Sequence, residues 1–459
     1  MNQPVAPLPP EPDGRPWYKL LNRYHWFVLT VAALGWLFDC LDQQLFIMAR
    51  QPAMKELLAE SPEAPPSQSV VDAYSGYATA IFLIGWASGG LVFGVLGDRI
   101  GRAKTMLITI LMYSLFTGLS SLSVSFWDFA AYRFLTGLGV GGEFAVGVAL
   151  VAEVMPHRAR PYALSLLQAL SAIGNVSAAL VNIVVGGLYE QGLLPSVWRP
   201  LFIVGAVPAL LCLVIRRHLK EPERWQQVSH EGAVEKQLGS YQALFGDPEL
   251  RRRALIGLTL AFSGVVGLWG IVFFTMDLVG NFVSTKLAAE GVAPEAIAGQ
   301  AAKWKGTTGL MLNIGAFLGM YSFGVVTQRI GRKPTFAMAF VASAISTAAV
   351  FMYLDQTSEI YWMVPVMGFC ILSLFAGYAI YFPELFPTYL RSTGTSFCYN
   401  IGRFLAAAGP AVLGVLTSQV YADTAEPLRN AGLTMCVIFV IGLIALPFAP
   451  ETKDQPLPD

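Results

Sequence analysis

The sequence predicts an all-α membrane protein: twelve transmembrane helices arranged as two pseudo-symmetric six-helix bundles. Three observations carry this. Hydrophobic residues make up 55% of the chain and charged residues only 13%, with a mean hydropathy of +0.55, whereas a soluble domain carries about 25% charged residues. So few charges cannot cover a water-facing surface, so lipid must be the solvent. Apolar runs of about 20 residues, the length that crosses a bilayer, recur along the whole chain. A glycine-bearing, arginine-studded turn, Gly94-Val95-Leu96-Gly97-Asp98-Arg99-Ile100-Gly101-Arg102-Ala103-Lys104, returns far downstream as Gly324-Val325-Val326-Thr327-Gln328-Arg329-Ile330-Gly331-Arg332-Lys333.

Residues 1–24 precede the first apolar run. They begin rich in proline and polar residues, and we expect a disordered cytosolic tail. The run from His25 is too long for a signal peptide, lacks a small-residue cleavage site and contains acidic residues, so no cleavable leader is expected. Spans follow at about 25–48, 74–97, 104–124, 129–152, 162–187 and 198–215, then at about 255–280, 306–327, 335–354, 361–382, 392–417 and 431–449. The runs are continuous, not alternating, which excludes a β-barrel. The expected division is an N-terminal bundle over 25–217, a cytosolic linker over 218–253, a C-terminal bundle over 254–449 and a cytosolic tail over 450–459.

Lysine and arginine set the orientation. With a cytosolic N-terminus, the inner segments hold Arg15, Lys19, Arg23, Arg99, Arg102, Lys104, Arg158, Arg160, a cluster from Arg216 through Lys236 to Arg253, and then Arg329, Arg332, Lys333, Arg391 and Lys453. The opposite face has only Arg50, Lys55, Arg199, Lys286, Lys303, Lys305 and Arg429. This asymmetry predicts both termini inside and an inner or plasma membrane location. Formal net charge is zero, which argues against a nucleic-acid partner. The five cysteines, Cys40, Cys212, Cys370, Cys398 and Cys436, lie inside apolar runs without metal-ligand or disulfide spacing and are read as packing residues. No metal or cofactor is expected, and no nucleophile–base constellation suggests an enzyme.

The duplication extends beyond the turn. Glu153-Val-Met-Pro156-His-Arg-Ala-Arg160 matches Glu384-Leu-Phe-Pro387-Thr-Tyr-Leu-Arg391, and Glu221-Pro222-Glu223-Arg224 after span six is echoed by Pro450-Glu451-Thr452 after span twelve. Parallel halves of this kind are a transporter plan, with substrate bound between them near the midplane. With the turn pair, the Arg133-Phe-Leu-Thr-Gly137-Leu-Gly139-Val-Gly141-Gly142-Glu143 run and the closing Pro-Glu-Thr, the chain resembles the major facilitator superfamily over about residues 20–455. Asp39-Cys40-Leu41-Asp42 is similar to the paired aspartates of the aromatic acid/proton symporters, and Gly141-Gly142-Glu143 is closer to the metabolite and sialate/lactate proton symporters. The resemblance implies the major facilitator fold and a substrate among aromatic acids or short mono- and dicarboxylates.

Within this frame, Asp98 ends span two, where a carboxylate opposes the helix dipole. We read it, with Gly94, Arg99, Gly101 and Arg102, as a latch on the cytosolic mouth against the N-terminus of span eleven; positive-inside topology plus a tight turn is the bland alternative. Gln328 replaces the aspartate in the second copy, beside Arg329 and Arg332, so gating should be asymmetric. Arg133, Glu153, Arg160, Glu384 and Arg391 join this gating set, Arg133 as a structural residue or access guide toward the outer face. Asp39 and Asp42 lie at i and i+3 and can share one face. Each costs about 2.5–3.5 kcal/mol at a helix centre, so with Glu143 they are the proton-coupling candidates, against structural ion pairs. Arg403, twelve positions after Arg391, sits about 18 Å deep. A guanidinium there stays charged and must meet an anion, either a substrate carboxylate or one of these carboxylates. Asn400, Gln43, Asn175 and Asn313 are the further substrate-binding candidates, while Trp36, Trp86, Trp269 and Trp304 are read as belt or packing residues. All four histidines lie at or beyond the cytosolic face, so any coupled proton must ride on a carboxylate.

The expected function is proton-coupled symport of a small organic anion by a monomer, driven by the transmembrane proton gradient through alternating access. A neutral-solute transporter, such as a sugar porter, and a non-transporting membrane sensor on the same scaffold are the alternatives.

Overall fold

The computed structural model describes residues 15–59, 66–208, 218–230, 237–406 and 408–458. Among the described residues there are helices and turns and no β-strand. Cys212, Arg216, Arg217, Lys236 and residues 1–14 of the expected tail lie outside this set. Residues 15–24 carry structure: Trp17–Leu20 form a 3-10 turn, and Trp17 stacks on Tyr162 with ring centroids 5.6 Å apart.

Ten helices among the described residues are long and apolar enough to cross a membrane. In the first half they are span one (Arg23–Leu57), span two (Gln68–Arg99), span three (Arg102–Ser120), span four (Phe126–Val154) and span five (Arg160–Ala169 continued by Ser171–Glu190). In the second half they are span seven (Pro248–Gly270 continued by Thr275–Ala289), span eight (Pro294–Ile330), span nine (Arg332–Tyr353), span ten (Ile360–Leu385) and span twelve (Pro427–Met435 continued by Ile438–Ala445). The two remaining expected spans are described in pieces. Of span six the described residues hold the helix Trp198–Gly205, and residues 209–217 lie outside the described set. Span eleven is Arg391–Ala406 followed by Gly409–Val415 and a π-turn at Leu416–Val420. With these two, the fold is the twelve-helix arrangement.

Local chemistry explains where the helices start. Asn22 accepts a hydrogen bond from the His25 backbone N–H at 2.8 Å while His25 accepts one from the Asn22 backbone at 3.2 Å, a reciprocal cap. Ser125 and Asp128 repeat this pattern ahead of span four, and Asp247 caps span seven through Glu249 and Leu250 with Pro248 at the first position. Between spans two and three, and again between eight and nine, the chain reverses through one glycine in the positive-φ region: Gly101 at φ 110° and Gly331 at φ 101°. Glycine adopts that region without a side-chain penalty.

The halves pack alike. Span two lies on span four as eight lies on ten; three on four as nine on ten; one on five and six as seven on eleven and twelve; and three on six as nine on twelve. The close approaches repeat as well. Gly85 and Gly89 bring span two onto the Phe134 and Leu138 carbonyls of span four, and Gly315 and Gly319 bring span eight onto those of Pro365 and Phe369. Small residues let helix backbones approach in lipid. The outward faces expose Leu180, Ile183, Ile345 and Ile444 at 59–68%, an apolar belt that only lipid can cover.

The halves meet where span two contacts span eleven and span five contacts span eight, a relation itself two-fold symmetric. Both described chain ends lie on the face that carries the repeated turns: the His157 Nε2 is 2.9 Å from the Gln455 carbonyl and Trp17 is on Tyr162. We call this the terminal face.

Candidate functional site: a cationic cavity above a closed gate

On the terminal face the repeated motifs converge. Asp98 accepts hydrogen bonds from the Ser392 N–H (3.1 Å), the Thr393 N–H (2.8 Å) and the Thr393 hydroxyl (2.6 Å). It therefore sits on the positive N-terminus of span eleven, where a carboxylate is favourable. Arg102 is fully buried and pairs with Asp98 at 3.1 Å and Glu153 at 2.9 Å. The same Glu153 oxygen accepts from Arg391 at 2.7 Å, which joins the two halves. Between these helices Gly94 rests against Ser392 and Ser396, and Gly324 makes the matching approach to Pro161 and Ser165 across spans eight and five. The short hydroxyl contact of Ser396 on the Gly90 carbonyl continues this seam upward.

The second copy is built alike but bonded less across the halves. Arg332 grips Glu384 with two hydrogen bonds, 2.7 and 3.0 Å, while Gln328 reaches only Arg332, at 3.5 Å. Arg160 donates to the Ala152 carbonyl at 2.8 Å, and Arg99 to the Leu238 carbonyl of the linker at 3.1 Å. Arg329 is exposed and contributes its carbonyl to Lys453 at 2.9 Å. Glu221 and Glu451, which the sequence marked only as a repeat, cap the two turn helices. Glu221 accepts from the backbone of Ala103 and Lys104, both at 3.0 Å, and Glu451 from that of Arg332 and Lys333 at 2.9 and 3.0 Å.

Above the gate, Arg403 lies with its guanidinium 3.8 Å from the centroid of the Trp86 ring and 4.6 Å from that of Tyr399. Such stacking holds a desolvated guanidinium in place. Its buried Nε and Nη1 make no hydrogen bond, and no carboxylate pairs with it among the described residues. It lines a cavity of about 380 Å³ with apolar walls, into which Arg50 also projects. Behind it, Asp39 and Glu143 are charge neighbours; their four carboxyl oxygens are buried and accept from no donor.

Other expectations need correction. Asp42 stays a charge neighbour of Asp39 but takes other partners: it faces Arg133 at 3.7 Å and accepts from the Thr117 hydroxyl at 2.7 Å. Three residues advance a helix by about 300°, which leaves neighbouring side chains roughly 60° apart, enough to send them to different partners. Of the two readings of Arg133, the contacts fit the structural one: it is fully buried, donates to Ser120 and Thr136 and lies 4.6 Å from the Phe202 ring centroid. Asn400 is buried in the seam beside Gly90, donating to the Ser396 carbonyl at 3.1 Å. Asn175 and Asn313 bond to each other across spans five and eight at 2.9 Å, so they bridge the halves. Gln43 is half-buried on span one and does not line the Arg403 cavity. Trp86, read from sequence as belt or packing, stacks on the Arg403 guanidinium, a contact no sequence signal marks.

Two like halves, a cation-lined pocket between spans one, two and eleven, and repeated charge networks on one face define a membrane transporter rather than an enzyme. The chain belongs to the Major Facilitator Superfamily, whose family description matches residues 32–410. Among its relatives, a Haemophilus influenzae protein named for metabolite transport is 30% identical, covering 95% of this chain and 99% of that one. The cis,cis-muconate transport protein of Acinetobacter baylyi is 28% identical, covering 83% and 86%. The solved structure of a proton:xylose symporter superposes with a TM-score of 0.72 at 18% identity over 95% of this chain and 98% of that one, a likeness of fold.

Proposed function

We propose that this protein is a monomeric proton-coupled symporter of small organic anions that works by alternating access, with both termini and the terminal face in the cytosol. The observation that carries this reading is Arg403: a guanidinium at membrane depth, clamped between two rings, with buried N–H groups that make no hydrogen bond, beside an open pocket. A neutral solute offers those N–H groups no charged acceptor, whereas a carboxylate meets them through charge-assisted hydrogen bonds. Relatives named for the transport of organic acids such as cis,cis-muconate support the substrate class.

Asp39 and Glu143 supply the proton site. Two carboxylates are acceptors only; one proton between them turns the pair into donor and acceptor. Substrate then neutralises Arg403 and the proton neutralises the pair, and a cavity with less net charge can close. One proton carried with one monoanion moves no net charge, so the pH difference drives accumulation, about 1.4 kcal/mol or tenfold per unit.

The test is uptake into proteoliposomes with and without an inward proton gradient, using labelled aromatic and short aliphatic acids and xylose. Gradient-driven accumulation of an acid, abolished by Arg403→Ala and uncoupled from the gradient by Asp39→Asn, is expected. Gradient-independent xylose equilibration that survives Arg403→Ala would overturn the reading.

A further inference from the structure

The second cation of the cavity has no part in the reading above. Arg50 lies near the outer end of span one, where its sequence position suggests only a loop-side charge. In the fold it projects into the same cavity as Arg403. Its Nη1 donates to the Thr79 hydroxyl oxygen at 2.9 Å, and Thr79 in turn donates to the Ser75 carbonyl at 2.7 Å. Thr79 therefore works as a fixed acceptor that aims the guanidinium. One donor of five is engaged this way, so the group keeps N–H bonds to offer an anion.

We propose that Arg50 is a second anion-binding residue, and that the cavity is built for a linear dicarboxylate of four to six carbons gripped at both ends. This rests on the assignment of Arg403 to the first carboxylate. The spacing supports it. Arg50 is anchored at Thr79 and Arg403 at Trp86, seven residues apart on span two, which is about 10 Å along the helix. With a hydrogen bond of about 2.8 Å at each end, and the latitude of two long side chains, a four- to six-carbon diacid bridges that gap and a single carboxylate does not. Between the two cations lie Leu83, Ile84, Ala87 and Phe404, of which Ile84 and Phe404 are half-exposed, an open apolar groove suited to the hydrocarbon middle of such a molecule.

The probes are matched pairs in which a methyl replaces one carboxylate: trans,trans-muconate against sorbate, and fumarate against crotonate. Binding to the purified full-length protein in detergent is measured by calorimetry. In the wild type at least one diacid should bind about tenfold or more tightly than its partner, the scale of one charge-assisted contact. Arg50→Gln should erase that ratio while leaving monoacid affinity within about twofold, and Thr79→Val should reduce it. Equal binding of diacid and monoacid by the wild type, or equal weakening of both by Arg50→Gln, overturns the proposal while Arg403→Ala still abolishes binding. Binding of no acid by the wild type overturns both the proposal and the anion-site reading. Where Arg50→Gln does not fold, the ratio in Thr79→Val decides on the same criterion.

Discussion

Asp39 and Asp42 show how one turn of helix can give two like residues different partners. Asp42 and Arg133 form a fully buried pair, and each makes the other affordable in the low-dielectric interior, because an isolated buried ion is far more costly than a matched one. Asp39 has Glu143 and Asp42 as charge neighbours and Arg403 within electrostatic reach. The two aspartates should therefore respond differently to neutralisation. Asp42→Asn strands the Arg133 charge, and breaking a buried pair from one side costs about 3–5 kcal/mol. We expect a clear fall in melting temperature and folded yield in detergent. Asp39→Asn should melt close to the wild type and lose proton dependence of uptake. An Asp42→Asn protein that melts normally but transports without proton coupling would reassign the proton to Asp42.

At the scale of the element, the repeated turns are short helix starts held by a distant carboxylate. Glu451 reaches the N-terminus of span nine from beyond span twelve, and so ties the end of the second half to its middle. Glu221 does the same for span three from beyond span six. Burial raises the Glu451 carboxyl, but hydrogen bonds from the backbone of Arg332, Lys333 and Lys453, with the Arg332 charge, outweigh it and hold the group below its ordinary value of 4.5. The sign follows: a carboxyl depressed in the folded state adds stability above its unfolded value, and that stability is lost as pH falls through the folded one. Thermal melts from pH 7 to pH 3 should show Glu451→Gln less stable than the wild type at neutral pH, with the gap closing at the acidic end. A gap that is constant across this range would mean the carboxylate charge does not matter there.

For the whole molecule, closure of the terminal face rests on contacts that are two-fold related in position and unequal in strength. Asp98 bonds three donors on span eleven, whereas its counterpart Gln328 reaches no residue of the first half among its described contacts. Asp98→Asn should therefore leave the terminal face open for longer and lower uptake by about tenfold, the scale of one or two charge-assisted hydrogen bonds. Gln328→Ala should stay within about twofold. Uptake rates in proteoliposomes, with thiol labelling of an Asn400→Cys reporter from the terminal face, check both. Equal effects of the two substitutions would remove the asymmetry.

The sequence by itself determined the solvent, the fold class and the duplication. Hydropathy and span length are local properties, and the turn motif needs only neighbours in the chain to make its reversal at Gly101 and Gly331. Arg403 was legible because a charge at a countable depth must have a counter-charge wherever the helix faces. What only the tertiary structure decided was direction. Depth along a span can be counted, but rotation about its axis is set by packing against other helices. That is why Asp42 turned to Arg133, Asn400 into the seam, Asn175 and Asn313 to each other, and Arg50 from a supposed surface position into the cavity. Side-chain direction inside a bilayer is a property of the bundle, since lipid outside gives a helix no polar face to orient by.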